Sequence, residues 1–186
     1  MNKNDYTLEE STANMEYWLS RLQKLPNRSD REWREYFMRN DVWFEDLESL
    51  GYYLSEAHNS LVYKAYSEES VFKSKKDEMD GSFVRAIEGA LLHNRLFPET
   101  FYSLVGFTDY KEGIRVIFQQ KYIKGKQPTQ EEIREGLRKK GFSLLEREHS
   151  AISGSKDGLL AKDIHEYNAI VSEGELYVID CKIIKI

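Results

Sequence analysis

Apolar residues recur with a helical period near the start of the chain: Met15, Trp18, Leu19 and Leu22 fall on one face, and "KLPN" breaks the pattern at Pro26. A second stretch, "NRSDREWREYF", offers Ser29 or Asp30 as an N-cap and turns Trp33, Tyr36 and Phe37 inward. These two helices read as an appendage over residues 1–48, with aromatic stripes that serve as packing surface. From Gly51 the period changes. "SLVYKAYS" alternates, "SEES" is a turn cluster and "SVFKSK" returns as the partner strand of a hairpin. After Gly81, "GSFVRAIEGALLHNRLF" predicts a helix capped by Ser82, with Phe83, Ile87, Ala90 and Leu91 on one face and Pro98 as its stop. "FYSLVGFTDY" and "IRVIFQQKYI", joined through "KEG", complete an antiparallel sheet with one helix inserted after the third strand.

Beyond residue 122 the elements are shorter. "PTQEEIREGLRKKGF" predicts a helix with Thr129 as cap and Glu132 closing a capping box. "FSLLERE" and "GLLAKD" read as strands or extended loop on either side of a polar "SGSKDG" turn. "NAIV", "SEGE" and "LYVID" form a short hairpin that delivers Asp180 at a strand end. The class is α+β, divided as residues 1–48, 49–122 and 123–186.

Composition narrows this picture in three ways. With 186 residues, 40% of them hydrophobic, the chain is long enough for a substantial core and does not read as disordered. Its 27 Lys and Arg against 32 Asp and Glu give a formal charge of −5, which disfavours capture by nucleic acid or an anionic membrane. The one cysteine, Cys181, fits a reducing compartment, and no apolar run suits a membrane span or secretory signal, so the expectation is a cytoplasmic protein.

The chemistry concentrates in "KDIHEYN" and the hairpin after it. Phosphoryl transfer needs a group that orients the attacking hydroxyl, hard oxygen ligands for magnesium and a cation on the nucleotide phosphates. Asp163 and Asn168 stand five apart on a loop entering the hairpin whose far end carries Asp180. A loop bent over that length lets Asp163 face an acceptor while Asn168 turns toward a metal.

"KDIHEYNAIV…LYVID" resembles the catalytic loop and metal-binding Asp of the protein-kinase-like superfamily, in the form favoured by aminoglycoside and choline phosphotransferases. "ALLHNRLFPETFYSLVGF", "FQQKYIKG" and "EEIREGLRKKGF" are similar to the small kinase-like domain of polyvalent proteins from phages and mobile elements, over roughly residues 50–183. The resemblance implies a small antiparallel N-lobe with one helix, an abbreviated C-lobe and ATP held between them with Mg. It makes Asp163 the catalytic base and Asn168 and Asp180 the metal ligands. Lys73 becomes the third-strand lysine on the phosphates, with Lys64 as a competitor, and Glu88 its partner. Gln120 and Tyr122 become the hinge near adenine, and His165 a brace for the loop. The γ-phosphate would pass to an unidentified hydroxyl-bearing acceptor, a protein or a small molecule.

Two departures keep other readings open. Residues 55–60, "SEAHNS", contain no glycine where kinases cover the phosphates, and Asp180-Cys181-Lys182 stands where kinases have Asp-Phe-Gly. A nucleotide-binding or inactive pseudokinase module fits those losses. "VIDCK" also fits the D-x-K strand of a magnesium-dependent nuclease, with Asp180 and Asp163 on the metal and Lys182 polarising water. Taken singly, His165 and His93 read as loop and packing histidines, and Cys181 as a small apolar group at a strand end.

Overall fold

Three of the helices begin on capping boxes. Thr7 caps α1 (Leu8–Leu22) with Glu10 reaching back to it, Ser29 caps α2 (Asp30–Arg39) with Glu32, and Thr129 caps α4 (Gln130–Lys139) with Glu132. Ser29 is therefore the cap of the second helix, and Asp30 its first helical residue. The computed structural model describes residues 6–26, 28–57, 60–76, 82–110, 113–145 and 151–186. His58 and Asn59 of the glycine-free connection lie outside the described residues, as do Gly81, Lys111 and Glu112 of "KEG", and residues 146–148 of "FSLLERE". The fold is α+β with antiparallel sheets, and the residues divide into two units, 1–91 with 101–122 and 92–100 with 123–186.

In the first unit the strands are β1 (Gly51–Ala57), β2 (Ser60–Ala65), β3 (Ser70–Lys75), β4 (Ser103–Asp109) and β5 (Ile114–Lys121), ordered β1-β2-β3-β5-β4 with every pair antiparallel. Helix α3 (Phe83–Leu96) follows β3 in sequence. The stretch expected as an appendage shares a core with the sheet. Met15, Trp18 and Leu22 of α1 and Trp33 and Phe37 of α2 are buried with Phe83, Phe107 and Phe118. Phe37 stacks on Phe107 at 3.7 Å between centroids, and Trp18 meets Phe107 edge-on at 5.6 Å. Aromatic faces this large cannot stay in water when a sheet face is within reach. The edge of β4 is covered as well: the Phe107 N–H donates to Val42 O at 2.7 Å and Phe44 N–H to Phe107 O at 2.8 Å.

In the second unit β6 (Ser143–Leu145), β7 (Ile152–Lys156), β8 (Leu159–Ile164) and β11 (Lys182–Lys185) form one sheet ordered β11-β8-β7-β6, and β9 (Ala169–Ser172) pairs with β10 (Glu175–Val178) in a separate hairpin. The "SGSKDG" turn is shorter than the sequence suggests. Residues 153–156 belong to β7, and only Asp157 and Gly158 turn, both with positive φ (51° and 73°), as a two-residue hairpin requires. The β9–β10 turn repeats the device with Glu173 and Gly174 at φ 52° and 82°.

That second hairpin is gripped at several points. Lys126 exchanges hydrogen bonds with Val171 of β9 at 2.9 and 3.0 Å, and a Cβ on Gly125 would overlap the Val171 carbonyl. A Cβ on Gly136 of α4 would overlap the Leu176 side chain of β10. Ile133, Leu137, Phe142, Ile164, Leu176 and Val178 are buried in one cluster beneath. Among the described residues no helix is long and apolar enough to cross a membrane.

Truncating Phe37, which is fully buried, is expected to lower unfolding free energy by about 3–5 kcal/mol, read from urea denaturation of the Phe37→Ala variant. A second expectation concerns acid. Glu132 is pulled from its ordinary 4.5 to about 2, first by the Lys126 ammonium and then by the Thr129 cap. A carboxylate depressed by folding contributes stability that is complete above its unfolded pKa and is lost as pH falls toward its folded one. Glu132→Gln should therefore flatten the fall in stability between about pH 4.5 and pH 2, and an unchanged acid profile would remove the cap from this role.

Candidate functional site

In the second unit the chain leaves β8 through a sharp change of direction at Asp163, whose φ is +63°. Asp41 follows α2, and Glu68, Asp157 and Glu173 occupy hairpin turns, but Asp163 holds the left-handed conformation within the span of a strand. Aspartate tolerates that region better than most residues, yet it is still strained there. Strain of this kind persists only where the surroundings hold it.

Those surroundings are the loop that follows. The side-chain amide of Asn168 donates to the Asp163 carbonyl at 2.9 Å, and lies 3.5 Å from Asp163 Oδ2. The Asn168 main-chain N–H donates to His165 O at 2.9 Å, closing a turn, and Tyr167 N–H donates to His165 Nδ1 at 3.2 Å. His165 Nε2 lies 3.0 Å from Asn168 Nδ2 and 3.7 Å from Asp163 Oδ1, within the loop it was expected to brace. The Asn168 carbonyl accepts N–H bonds from Ile179 at 2.9 Å and Asp180 at 3.2 Å. Asp163, Asn168 and Asp180 are thus joined through Asn168, whose side chain binds one and whose backbone binds the other.

The chemistry of this set is hard oxygen. With Nδ2 turned to the Asp163 carbonyl, Asn168 Oδ1 points the opposite way across the planar amide and is an acceptor. An amide oxygen and a carboxylate are among the hard oxygen ligand types that suit magnesium. Among the described residues no group of three or more His, Cys, Asp and Glu is placed to hold a metal, which excludes a self-sufficient cage of those types there. Asp163 is exposed, so its carboxylate is open to a partner from solution.

In the first unit Lys73 lies on β3 and is 4% exposed, opposite Phe118 of β5. Its ammonium donates to the Tyr102 hydroxyl at 3.5 Å and sits 5.4 Å from that ring, with Lys75 at 5.3 Å from the same ring. The competitor Lys64 pairs with Glu68 at 3.3 Å and lies 4.7 Å over the Tyr122 ring. Glu88 departs from the expectation. Its carboxylate accepts from Gln23 Nε2 at 3.1 Å instead of joining Lys73, because the end of α1 brings an amide to that side of α3. Gln120 is buried on β5 opposite Val71, and the Tyr122 N–H donates to Glu69 O at 2.8 Å. That amide is therefore engaged within the sheet, and an adenine contact through it would have to displace Glu69.

Sequence reasoning passed over Tyr102, Thr100 and the contact of His93 with Cys181. Tyr102 and Thr100 carried no motif of their own, and His93 and Cys181 are 88 residues apart, beyond the reach of any local pattern.

A family model described as Serine/Threonine/Tyrosine Kinase found in polyvalent proteins matches residues 27–186. No curated protein and no solved structure matches the chain. All of α1 precedes the matched segment.

The strain at Asp163 can be measured directly. Asp163→Ala should be less stable than Asp163→Gly by about 1 kcal/mol, because only glycine relaxes at φ +63°. Equal urea midpoints for the two variants would show that the backbone carries no such strain.

Proposed function

Because the chain belongs to the family of serine, threonine and tyrosine kinases found in polyvalent proteins, we propose that it transfers the γ-phosphate of ATP to a hydroxyl acceptor. The acceptor oxygen attacks the γ-phosphorus, the bond from that phosphorus to the β–γ bridging oxygen breaks, and ADP leaves. The hydroxyl proton passes to the Asp163 carboxylate, which is exposed to solvent and has only the long contacts to Asn168 and His165 at 3.5 and 3.7 Å beside it. Asn168 Oδ1 and Asp180 would hold magnesium, which when bound neutralises charge on the phosphate oxygens. Lys73 would donate to the α and β phosphates, and residues around Gln120 would face adenine.

The observation that carries this reading is the double use of Asn168, amide to the Asp163 carbonyl and carbonyl to the Asp180 N–H. A base and a metal ligand must keep a fixed spacing, and one residue bonded to both supplies it. The nuclease reading, with Asp163 and Asp180 on the metal, also needs that spacing but leaves the Asn168 side chain without a chemical role. To the missing glycines and the Asp-Cys-Lys triplet, which fit the pseudokinase reading, the structure adds the engagement of Glu88 by Gln23 rather than by Lys73.

Thermal-shift titration separates the readings. ATP and magnesium together, at about 100 times the dissociation constant, should add roughly 2.7 kcal/mol to stability, while either alone adds far less. Asp163→Asn should cut phosphate transfer by about 100- to 10,000-fold and leave the nucleotide-dependent shift intact. Transfer at the wild-type rate in that variant would overturn the assignment of the base. A shift with no transfer to any hydroxyl, or to water, would favour the pseudokinase. Plasmid cleavage dependent on magnesium would favour the nuclease.

A further inference from the structure

The segment "LLHNRLFPET" takes no part in the chemistry above, yet it carries buried polar side chains: His93 is 2% exposed and Thr100 fully enclosed. Their bonds lead to the residues around Asp180. The Thr100 hydroxyl donates to the Val178 carbonyl at 2.6 Å, with Phe97 O farther off at 3.3 Å. His93 Nε2 lies 3.2 Å from both Thr100 O and Thr100 Oγ1. A carbonyl can only accept, and the hydroxyl's one hydrogen is directed at Val178, so Nε2 must be the donor. In the neutral ring that makes Nδ1 the acceptor, and 3.8 Å from it stands the Cys181 sulfur. The thiol S–H is the donor of that contact.

We propose that His93 and Thr100 are positioning residues that hold Asp180 from both sides, Thr100 through Val178 two residues before it and His93 through Cys181 directly after it. The inference rests on the reading of Asp180 as a metal ligand and adds what keeps that ligand in place. Asp180 follows the last residue of β10 by two and lies outside any strand, so the hairpin ladder does not fix it. The Asn168 carbonyl fixes its N–H, and the buried Thr100–His93 pair fixes the backbone before it and the side chain after it. A cysteine in this place gains a purpose that packing alone does not give it: it is small, and its weak donor matches the acceptor nitrogen that Thr100 imposes on His93.

Hydrogen exchange followed by NMR on the full chain without nucleotide tests the clamp. Thr100→Val keeps the shape and removes the hydroxyl. It should speed exchange of the Ile179 and Asp180 amides on the order of tenfold, while the Ile133 amide, bonded to Thr129 O in α4, keeps its wild-type rate. Thr100→Ser should restore slow exchange, and Cys181→Ala should speed the same two amides. Unchanged exchange at Ile179 and Asp180 in Thr100→Val would overturn the proposal, as would a failure of Thr100→Ser to rescue or an equal acceleration at Ile133, which would mark a general loss of stability. Where Thr100→Val does not fold, Cys181→Ala carries the comparison, since it alters only a partly buried position. In the presence of ATP, Thr100→Val should raise the magnesium concentration for half-maximal binding and leave magnesium-free binding alone. Absence of magnesium-dependent binding in the wild type would sink the proposed function, and the exchange result would still decide the clamp.

Discussion

The spacing of the candidate site depends on Asn168. A side chain whose amide bonds to the carbonyl of Asp163 must sit within about 3 Å of it, and a backbone carbonyl that accepts from Ile179 and Asp180 brings the end of β10 to the same place. Asn168 stands immediately before β9, so the antiparallel ladder returns the chain beside it after one turn. The hairpin needs only four residues on each strand to do this, and the two positive-φ residues Glu173 and Gly174 make the return as tight as the ladder allows. Gly125 and Gly136 let the segment before α4, and α4 itself, approach that hairpin at distances a Cβ would forbid. The site is therefore built by backbone geometry, with side chains at its corners.

Lys73 presents the opposite problem. A buried ammonium is costly unless polar or aromatic groups surround it, and the face of β3 that carries it offers the Tyr102 hydroxyl and ring. Tyr102 is itself buried and lies against Phe118 at 5.4 Å, so its position is set by the core and not by the lysine. Glu88 accepts from Gln23 at 3.1 Å, so the departure from the expected lysine–glutamate pair has a local cause on the glutamate side.

Features encoded by neighbours in sequence were readable from it. Thr129 with Glu132 and Ser29 with Glu32 are three residues apart, and their capping boxes formed as such spacing dictates. That one loop and one hairpin join Asp163, Asn168 and Asp180 was readable for a similar reason, whereas the bonds Asn168 makes to the Asp163 carbonyl and the Asp180 N–H were not. The extent of "SGSKDG" was misjudged because polar composition suggests a loop, whereas Asp157 and Gly158 alone satisfy the turn and release residues 153–156 to pair with β6 and β8. Contacts between distant residues left no trace in any pattern. Gln23 with Glu88 spans 65 residues, and Ser11 with Ser103, whose hydroxyls meet at 2.7 Å inside the core, spans 92.

Helix α1 shows why such contacts matter to function as well as to folding. All of it lies before the segment matched by the kinase family, yet it fills the shared core with Met15, Trp18 and Leu22. The β4–β5 register shifts between Leu104 and Gly106, and Asn14 of α1 donates to the Leu104 carbonyl at 3.1 Å. Gln23, just past the end of α1, reaches Glu88 of α3. A helix anchored by its apolar face and by a backbone hydrogen bond cannot shift without disturbing the amide at its own end. The position of Glu88 is in this way coupled to residues that a kinase core alone would not supply, and the helix that completes the hydrophobic core also sets the partner of that carboxylate.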